Sequence, residues 1–305
     1  MSTGYWLKYT LHVAHELEEA FVAMVLDSPY TLGWTEPYID VLVTENGYDY
    51  REIEERPVVA YLFEPLTETP PVHEARLRSF LAGWGEGVRL IAAETVAEEN
   101  ESWKEAYTPI QVGGWTIAPS WTPSEQLADK QHVLWIDPGA AFGTGYHGTT
   151  QDILLLLQEM DVTGKRVLDI GAGSGILSIF CALQGAATPV HAIDINPQSR
   201  SEIGQNLAHN RLPDTAVAVI IGDPLVDGDL LPGQADLILI NIGGGEAIAM
   251  LPLVERTLAP GGCVILSGIV EWIRPKVEKA YGRAGFTVAA EKQSGEWVTL
   301  QMRQK

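Results

Sequence analysis

The first third of the chain combines two hydrophobic patterns. Apolar residues at every second position predict half-buried strands, and spacings of three and four residues predict helices. On this basis we predict strands at Tyr5–Val13, 58–63 and 88–96 and helices at 16–26 and 73–82. The order strand, helix, one or more strands, helix, strand is that of a split βαβ unit. The pattern therefore predicts a small α+β domain at the start of the chain.

Two polar stretches interrupt and follow this unit. Residues 38–57 are polar and acidic, and their pattern fits either another hairpin or a surface insertion. Residues 98–107 are strongly charged with helical spacing, which indicates a linker helix. We expect a first domain over 1–97, a linker over 98–112 and a second domain over 113–305.

The rest of the chain alternates short apolar strands with helices. Two strands at 115–121 and 132–136 introduce it. The alternation then predicts strands at 166–170, 190–193, 217–221, 237–240 and 263–266 and helices at 175–184, 197–210, 246–258 and 272–284, with a turn at 260–262 ending the third of these helices. Apolar strands separated by helices are typical of a parallel sheet covered on both faces. Strands at 286–291 and 296–302 are expected to add an antiparallel pair at one edge.

Composition narrows the class of protein. The chain is 46% hydrophobic, with 20 basic and 40 acidic residues and a net charge of −20. Nucleic acids and anionic membranes bind cationic surfaces, so neither partner is expected. The two cysteines, Cys181 and Cys263, cannot form a disulfide framework and suit a reducing compartment. No apolar run reaches about 18–20 residues, and the first residues lack a signal-peptide pattern. We expect a cytoplasmic protein.

A glycine-rich loop follows the strand at 166–170. The strand carries Asp169, and Gly171, Gly173 and Gly175 lead into the next helix. Such a loop brings backbone N–H groups close to a ligand, although a generic strand–helix turn has the same look. A dinucleotide fingerprint requires Gly or Ala where this chain has Ile176. The observed form, D-x-G-x-G-x-G, resembles motif I of class I S-adenosylmethionine-dependent methyltransferases. Asp169 would repel a pyrophosphate and suits an ammonium or sulfonium group.

Two further carboxylates end neighbouring strands. Asp194 follows Gly171 by 23 residues and could accept hydrogen bonds from both ribose hydroxyls. Asp223 could accept a hydrogen bond from an adenine amino group, or it could simply form a turn before Pro224. Ligands of open α/β sheets bind at this edge, where the parallel strands end.

A longer segment identifies a family. Residues 137–150, DPGAAFGTGYHGTT, resemble the signature of the ribosomal protein L11 methyltransferases, and they precede the glycine loop as in that family. The resemblance covers nearly the whole chain, including Gly295–Val298 near its end. It implies an α/β fold: a class I, Rossmann-like methyltransferase sheet with an antiparallel last strand, preceded by a smaller ferredoxin-like α+β domain for substrate recognition.

The resemblance also implies a reaction and its residues. A monomeric enzyme would transfer methyl groups from S-adenosylmethionine to lysine side chains and the N-terminal amine of ribosomal protein L11. By position, the cofactor would contact Thr150, Gly171, Asp194 and Asn241, and a covering loop would include Phe142, Gly143, Thr144, Gly145 and His147. From the residues themselves we add Asp169, Gly173 and Asp223 to the cofactor site. Asn241 and His147 are candidate catalytic residues that orient the amine, although His147 could equally be a loop histidine held by backbone.

One departure concerns the acceptor. After Asn241 the chain has three glycines, residues 243–245, where the family has bulkier residues. We expect a wider or looser acceptor site, so another protein lysine or a small molecule stays open as the substrate. A nicotinamide oxidoreductase and a non-catalytic cofactor-binding module are the most distant alternatives. The acidic first domain, with 20 acidic and 7 basic residues over 1–107, suits a basic protein partner, or it reflects solubility. No metal-ligand spacing occurs, so no metal is expected.

Overall fold

The computed structural model describes residues 4–26, 28–44, 47–97, 104, 107–127, 131–139, 143–227, 231 and 233–304. The chain divides into two compact units. The first comprises Met1–Thr44 and Tyr48–Ala106, and the second comprises Glu45–Gly47 and Tyr107–Lys305. The predicted linker helix at 98–107 lies outside the described residues except for Lys104 and Tyr107.

A four-stranded antiparallel sheet forms the first unit. Its elements are β1 (Tyr5–Val13), α1 (Glu18–Leu26), β2 (Thr31–Glu36), β5 (Val58–Pro65), α2 (Pro70–Leu81) and β6 (Val88–Ala97). The strands lie in the order β2-β5-β1-β6, and every neighbouring pair is antiparallel. This topology is the ferredoxin-like arrangement that the sequence predicts.

The undecided segment at 38–57 contains a hairpin. Strands β3 (Ile39–Thr44) and β4 (Gly47–Glu52) pair only with each other, between β2 and β5 along the chain. Strand β2 was not predicted. Its alternation breaks because the register with β5 shifts between Leu32 and Trp34, so the sequence has no two-residue period there.

A buried polar network closes one end of this unit. His73 on α2 is 1% exposed, and its Nε2 accepts hydrogen bonds from the backbone N–H groups of Thr67 and Glu68 at 3.2 and 3.0 Å. Its Nδ1 lies 3.0 Å from Oε2 of the buried Glu64 near the end of β5, without good hydrogen-bond alignment. The Tyr9 hydroxyl donates to the other oxygen of Glu64. The network therefore joins β1, β5 and the following loop to α2.

The second unit is built on a seven-stranded sheet. Before it comes a small sheet of β7 (Ile110–Val112), β8 (Trp115–Ala118) and β9 (Val133–Trp135). The elements that follow are α3 (Gly148–Gln158), β10 (Val167–Ile170), α4 (Ile176–Leu183), β11 (Val190–Asp194), α5 (Gln198–His209), β12 (Val217–Ile221), β13 (Ala235–Asn241), α6 (Gly244–Ala249), α7 (Leu251–Thr257), β14 (Leu258–Val270), α8 (Arg274–Arg283), β15 (Phe286–Ser294) and β16 (Trp297–Gln304).

The order of this sheet confirms the predicted fold. It runs β12-β11-β10-β13-β14-β16-β15, and the first five strands pair in parallel. The last strand, β16, lies between β14 and β15 and is antiparallel to both. Because the chain moves from β10 toward β11 and later returns to β13 on the other side, the order reverses beside β10. Ligands of open α/β sheets bind at such a reversal.

Three local features of the structure differ from what the sequence led us to expect. Helix α3 was not predicted, because Ile153, Leu154, Leu156 and Leu157 are all buried and leave no one-sided pattern. The single helix expected at 246–258 is two helices, with Pro252 in the first turn of α7. The turn expected at 260–262 lies within β14, where the register with β13 shifts.

The described part of the chain contains no candidate membrane span and no candidate metal cluster. No helix there is long and apolar enough to cross a membrane. No group of three or more His, Cys, Asp or Glu side chains in those residues could hold a metal ion. Cys181 and Cys263 are both buried thiols.

The His73 network should contribute measurably to stability. Replacing His73 with Ala leaves two backbone N–H groups without their acceptor and removes a buried ring, so we expect a loss of about 2–4 kcal/mol in the stability of the first unit. Val72→Ala is the matched control, since Val72 precedes His73 on the same helix and is 45% exposed. Hydrogen exchange of the β5 and α2 amides measures the difference, and equal protection in the two variants would contradict it.

Candidate functional site

The glycine loop adopts a conformation that other residues would strain. Gly171, Gly173 and Gly175 have φ angles of +74°, +54° and +78° between the end of β10 and the start of α4. A Cβ atom added at Gly171 would lie 2.7 Å from Cγ1 of Ile242, the residue after β13. The loop therefore packs its backbone directly against the end of the neighbouring strand, at the reversal of strand order.

Asp194 ties this loop to the end of β11. Its Oδ2 accepts a hydrogen bond from the Gly173 N–H at 2.7 Å, and its Oδ1 accepts one from the Asn196 N–H at 2.8 Å. The side chain is 9% exposed. Since each carboxylate oxygen can accept more than one hydrogen bond, Asp194 shapes the loop and keeps accepting capacity for a ligand hydroxyl.

Asp169 is a second carboxylate beneath the loop, and it is 1% exposed. Its Oδ2 accepts hydrogen bonds from the Ser178 hydroxyl at 2.6 Å and the Ser178 N–H at 3.1 Å. Its Oδ1 has no hydrogen-bond partner within the described residues. Burial raises the pKa of the Asp169 carboxyl to about 6, the charge of Asp194 adds to the rise, and the two bonds from Ser178 oppose it.

Residues 143–147 of the signature form a second loop, which packs on the glycine loop. The Ser174 hydroxyl donates to the Gly143 carbonyl at 2.6 Å. Gln151 on α3 donates through Nε2 to the carbonyls of Gly145 and Tyr146 at 3.2 and 3.1 Å. Thr144 lies between these two held glycines, whereas Phe142 lies outside the described residues.

The start of α3 carries the remaining signature residues. His147 is the N-cap of this helix: its Nδ1 accepts from the Thr149 N–H at 3.4 Å and lies 2.8 Å from the Thr149 hydroxyl oxygen. The His147 ring packs edge-on against Trp297, with ring centroids 5.4 Å apart. Thr150 is fully buried, and its Oγ1 accepts from Nδ2 of Asn241 at 3.4 Å. The structure thus connects the signature with the end of β13.

Two sequence-predicted features look different in the structure. Asp223 accepts a hydrogen bond at Oδ1 from the Leu225 N–H at 2.9 Å, so it forms the turn that was its alternative interpretation.

Gly244 is buried, and a Cβ atom there would lie 2.6 Å from Cγ2 of Ile273. Glycine at 244 therefore lets α6 approach the residue before α8, and the expectation of a looser acceptor site has no support at this position.

Most of the predicted residues come together. Asp169, Gly171, Gly173 and Asp194 form one cluster, and Gly143 joins it through Ser174. Ile242 connects the cluster to Asn241 and so to Thr150 and His147. Sequence reasoning missed three supporting residues: Ser174, Trp297, and Asn206, whose side chain donates to the Ser174 carbonyl at 3.0 Å and accepts from the Asp137 N–H at 3.0 Å. Ser174 and Asp137 stand within the motifs, but nothing in the sequence pairs them with α5.

Comparisons with known proteins match between about two thirds and nearly all of the chain. The family model described as "Ribosomal protein L11 methyltransferase (PrmA)" matches residues 5–305. A ribosomal protein L11 methyltransferase of Wolinella succinogenes is 39% identical over 211 residues, which cover 68% of this chain and 72% of the relative. One from Desulfitobacterium hafniense is 32% identical over 315 residues, which cover 98% of this chain and 97% of the relative.

A solved structure agrees. The crystal structure of a ribosomal protein L11 methylase from Lactobacillus delbrueckii subsp. bulgaricus is similar with a TM-score of 0.59 and 32% sequence identity. The match covers 65% of this chain and 100% of that one.

Alanine substitutions at two glycines should show whether the close packing at Gly171 is needed for ligand binding. Gly171→Ala places a methyl group against Ile242, so we expect S-adenosylhomocysteine to bind at least about tenfold more weakly, or about 1.4 kcal/mol. Gly185→Ala is the matched control: Gly185 also has a positive φ, of +85°, but its nearest neighbour atom to a Cβ lies at 3.7 Å. Ligand-induced thermal shifts measure both variants. Unchanged shifts in Gly171→Ala would refute the loop as the binding site.

Proposed function

We propose that this chain, which belongs to the ribosomal protein L11 methyltransferase family, methylates amino groups of ribosomal protein L11. The acceptors proposed are lysine side chains and the N-terminal amine. The chain is an S-adenosylmethionine-dependent methyltransferase with the α/β fold of that class. We place its action in the cytoplasm, as a monomer.

The two carboxylates at the glycine loop carry the proposal. Among the described residues no basic side chain forms an ion pair with Asp169 or Asp194, and one oxygen of Asp169 is buried without a partner. A buried carboxylate without a counter-charge favours a cationic ligand and disfavours a pyrophosphate. S-adenosylmethionine fits this requirement, since it carries an ammonium and a sulfonium group. When bound, it supplies an electrophilic methyl group.

Each part of the site has a role in holding that cofactor. Asp194 would accept from the ribose hydroxyls, and the loop backbone at Gly171 and Gly173, whose own N–H groups bind the Ile193 carbonyl and Asp194, would lie against the bound molecule. Asp169 would balance the ammonium charge beneath the loop. The hydroxyls of Thr144 and Thr150 would bind the carboxylate end. From the family resemblance, Phe142 and Gly145 would belong to the covering loop. Asp223 forms the turn with one hydrogen bond to Oδ1, and its carboxylate keeps accepting capacity for the adenine amino group.

Asn241 would orient the amine that receives the methyl group. Because its Nδ2 donates to Thr150, the amide is turned so that its Oδ1 is the group available to accept from an incoming amine. Methyl transfer is an in-line displacement, and alignment of the reacting atoms accounts for much of the rate. The amine must arrive without its proton, and a hydrogen-bond acceptor in a site poor in water favours that neutral form. His147, held at its Nδ1, would support the same alignment.

The first unit would recognise the protein substrate. Residues 1–107 carry 20 acidic and 7 basic side chains. A surface with this excess of negative charge attracts a basic protein and speeds its association.

Labelling with methyl-labelled S-adenosylmethionine tests the function directly. We expect the wild type to label purified ribosomal protein L11 in preference to other ribosomal proteins. Asn241→Ala should lower kcat at saturating cofactor by about tenfold or more, since about 1.4 kcal/mol of transition-state alignment is lost. Gln205→Ala on α5, which removes an exposed amide outside the site, is the matched control. Label on a different protein, or on none, would contradict the proposal.

The ionisation of Asp169 predicts how cofactor binding depends on pH. Its pKa in the unliganded chain is raised to about 6 from the model-compound value of 3.8. A cationic ligand favours the ionised form and lowers that pKa, so affinity should rise as the pH rises through about 6, by several-fold between about pH 5 and pH 7. Asp169→Asn should abolish this dependence. Calorimetric titration at several pH values measures it, and a flat profile in the wild type would contradict the role of Asp169.

A further inference from the structure

The antiparallel sheet of the first unit has two different faces. One face packs on the helices, where Leu7, Tyr9 and Leu11 of β1 are buried with Phe21 and Leu77. Alternation along the strands places Trp6, Trp34, Tyr61 and Phe63 on the other face, where they are half-buried or exposed. We call these four side chains the aromatic face.

A bulge at Gly33 adds Trp34 to this face. In a regular strand Trp34 would share the helix-covered face with Leu32, because side chains two apart point the same way. The register shift pairs Leu32 with Leu62 of the core but Trp34 with Tyr61 of the aromatic face. A Cβ at Gly33 would lie 2.6 Å from the Phe63 ring, so glycine permits the close approach. Bulges are a common means of redirecting a side chain near a functional site.

The redirected tryptophan remains accessible. Trp34 is 51% exposed, although its ring lies 4.6 Å from that of Tyr61 and 6.3 Å from that of Phe63. Beside these rings is a groove of about 480 Å³ that Trp6, Trp34 and Phe63 help to line. A cluster of exposed aromatic rings at a groove is typical of a surface that binds a partner.

Two carboxylates and one ammonium lie beside the rings. Lys8 lines the groove, and its ammonium covers the Tyr61 ring at 4.8 Å from the centroid and pairs with a carboxylate oxygen of Glu94 at 4.0 Å, which leaves the Trp34 ring as the uncovered face. A carboxylate oxygen of Glu36 accepts from the Tyr61 hydroxyl at 3.5 Å. Aromatic faces next to carboxylates attract ammonium and guanidinium groups. The net charge of −13 over residues 1–107, from 20 acidic and 7 basic side chains, acts in the same direction.

We propose that the aromatic face docks a lysine- or arginine-bearing segment of the basic protein substrate, apart from the amine that is methylated. This inference rests on the proposed function and specifies the surface by which the first unit holds that substrate. A contact away from the reacting atoms contributes equally to the ground state and the transition state. It therefore lowers KM for the protein and leaves kcat unchanged.

Trp34→Ala tests the docking surface in the full-length chain, with ribosomal protein L11 as the probe. We expect KM for L11 to rise about tenfold, equivalent to about 1.4 kcal/mol, while kcat and the affinity for S-adenosylmethionine stay within about twofold. Trp34→Phe keeps an aromatic ring and should retain most of the wild-type KM. The matched control is Tyr5→Ala: Tyr5 is on β1 and 55% exposed, but alternation places it on the side of Leu7. It should leave KM unchanged.

The outcomes separate this proposal from the function on which it rests. If the wild type methylates L11 and Trp34→Ala behaves like Tyr5→Ala, the docking surface is wrong and the function stands. If the wild type binds L11 by titration without methylating it, and Trp34→Ala alone weakens that binding, the surface stands and the function is wrong. A wild type that neither binds nor methylates L11 overturns both. Circular dichroism of each variant confirms that the sheet has folded.

Discussion

Two carboxylates buried beside a glycine loop are the constraint on which the proposed site depends. Asp194 holds the loop through the Gly173 N–H, and Asp169 lies beneath it with one oxygen without a partner in the described residues. Burying negative charge is unfavourable unless a positive group compensates it. The glycines bring the backbone close enough for a ligand to provide that group. We propose that a cationic nucleoside provides it, and membership of a methyltransferase family agrees with this proposal.

The other contacts bring separate chain segments to this pair. Ser174 binds the Gly143 carbonyl, so the signature loop lies on the glycine loop. Asn206 on α5 holds the backbone on both sides of that junction. On the opposite side, Asn241 and Thr150 join the end of β13 to the start of α3. Each contact links residues far apart in sequence, and together they assemble the glycine loop, the signature loop and Asn241 at one edge of the sheet.

The sequence was most informative where a local pattern coincided with tertiary burial. The short apolar strands and the glycine loop at 171–175 gave the sheet and its binding edge, and the signature at 137–150 gave the family. Prediction was wrong where tertiary context overrides local pattern. Helix α3 is buried nearly all round, and the bulge at Gly33 interrupts the period of β2. The effect of the glycines at 243–245 on the acceptor site stays a prediction, and only the fold shows that Gly244 packs against Ile273.

Calorimetric titration of the unliganded chain with S-adenosylmethionine and, separately, with NAD tests the central claim most directly. Both ligands contain adenosine, but one carries a sulfonium and an ammonium group and the other a pyrophosphate. The buried carboxylates predict saturable binding of S-adenosylmethionine and no detectable binding of NAD under the same conditions. Binding of NAD with equal or greater affinity would contradict the account.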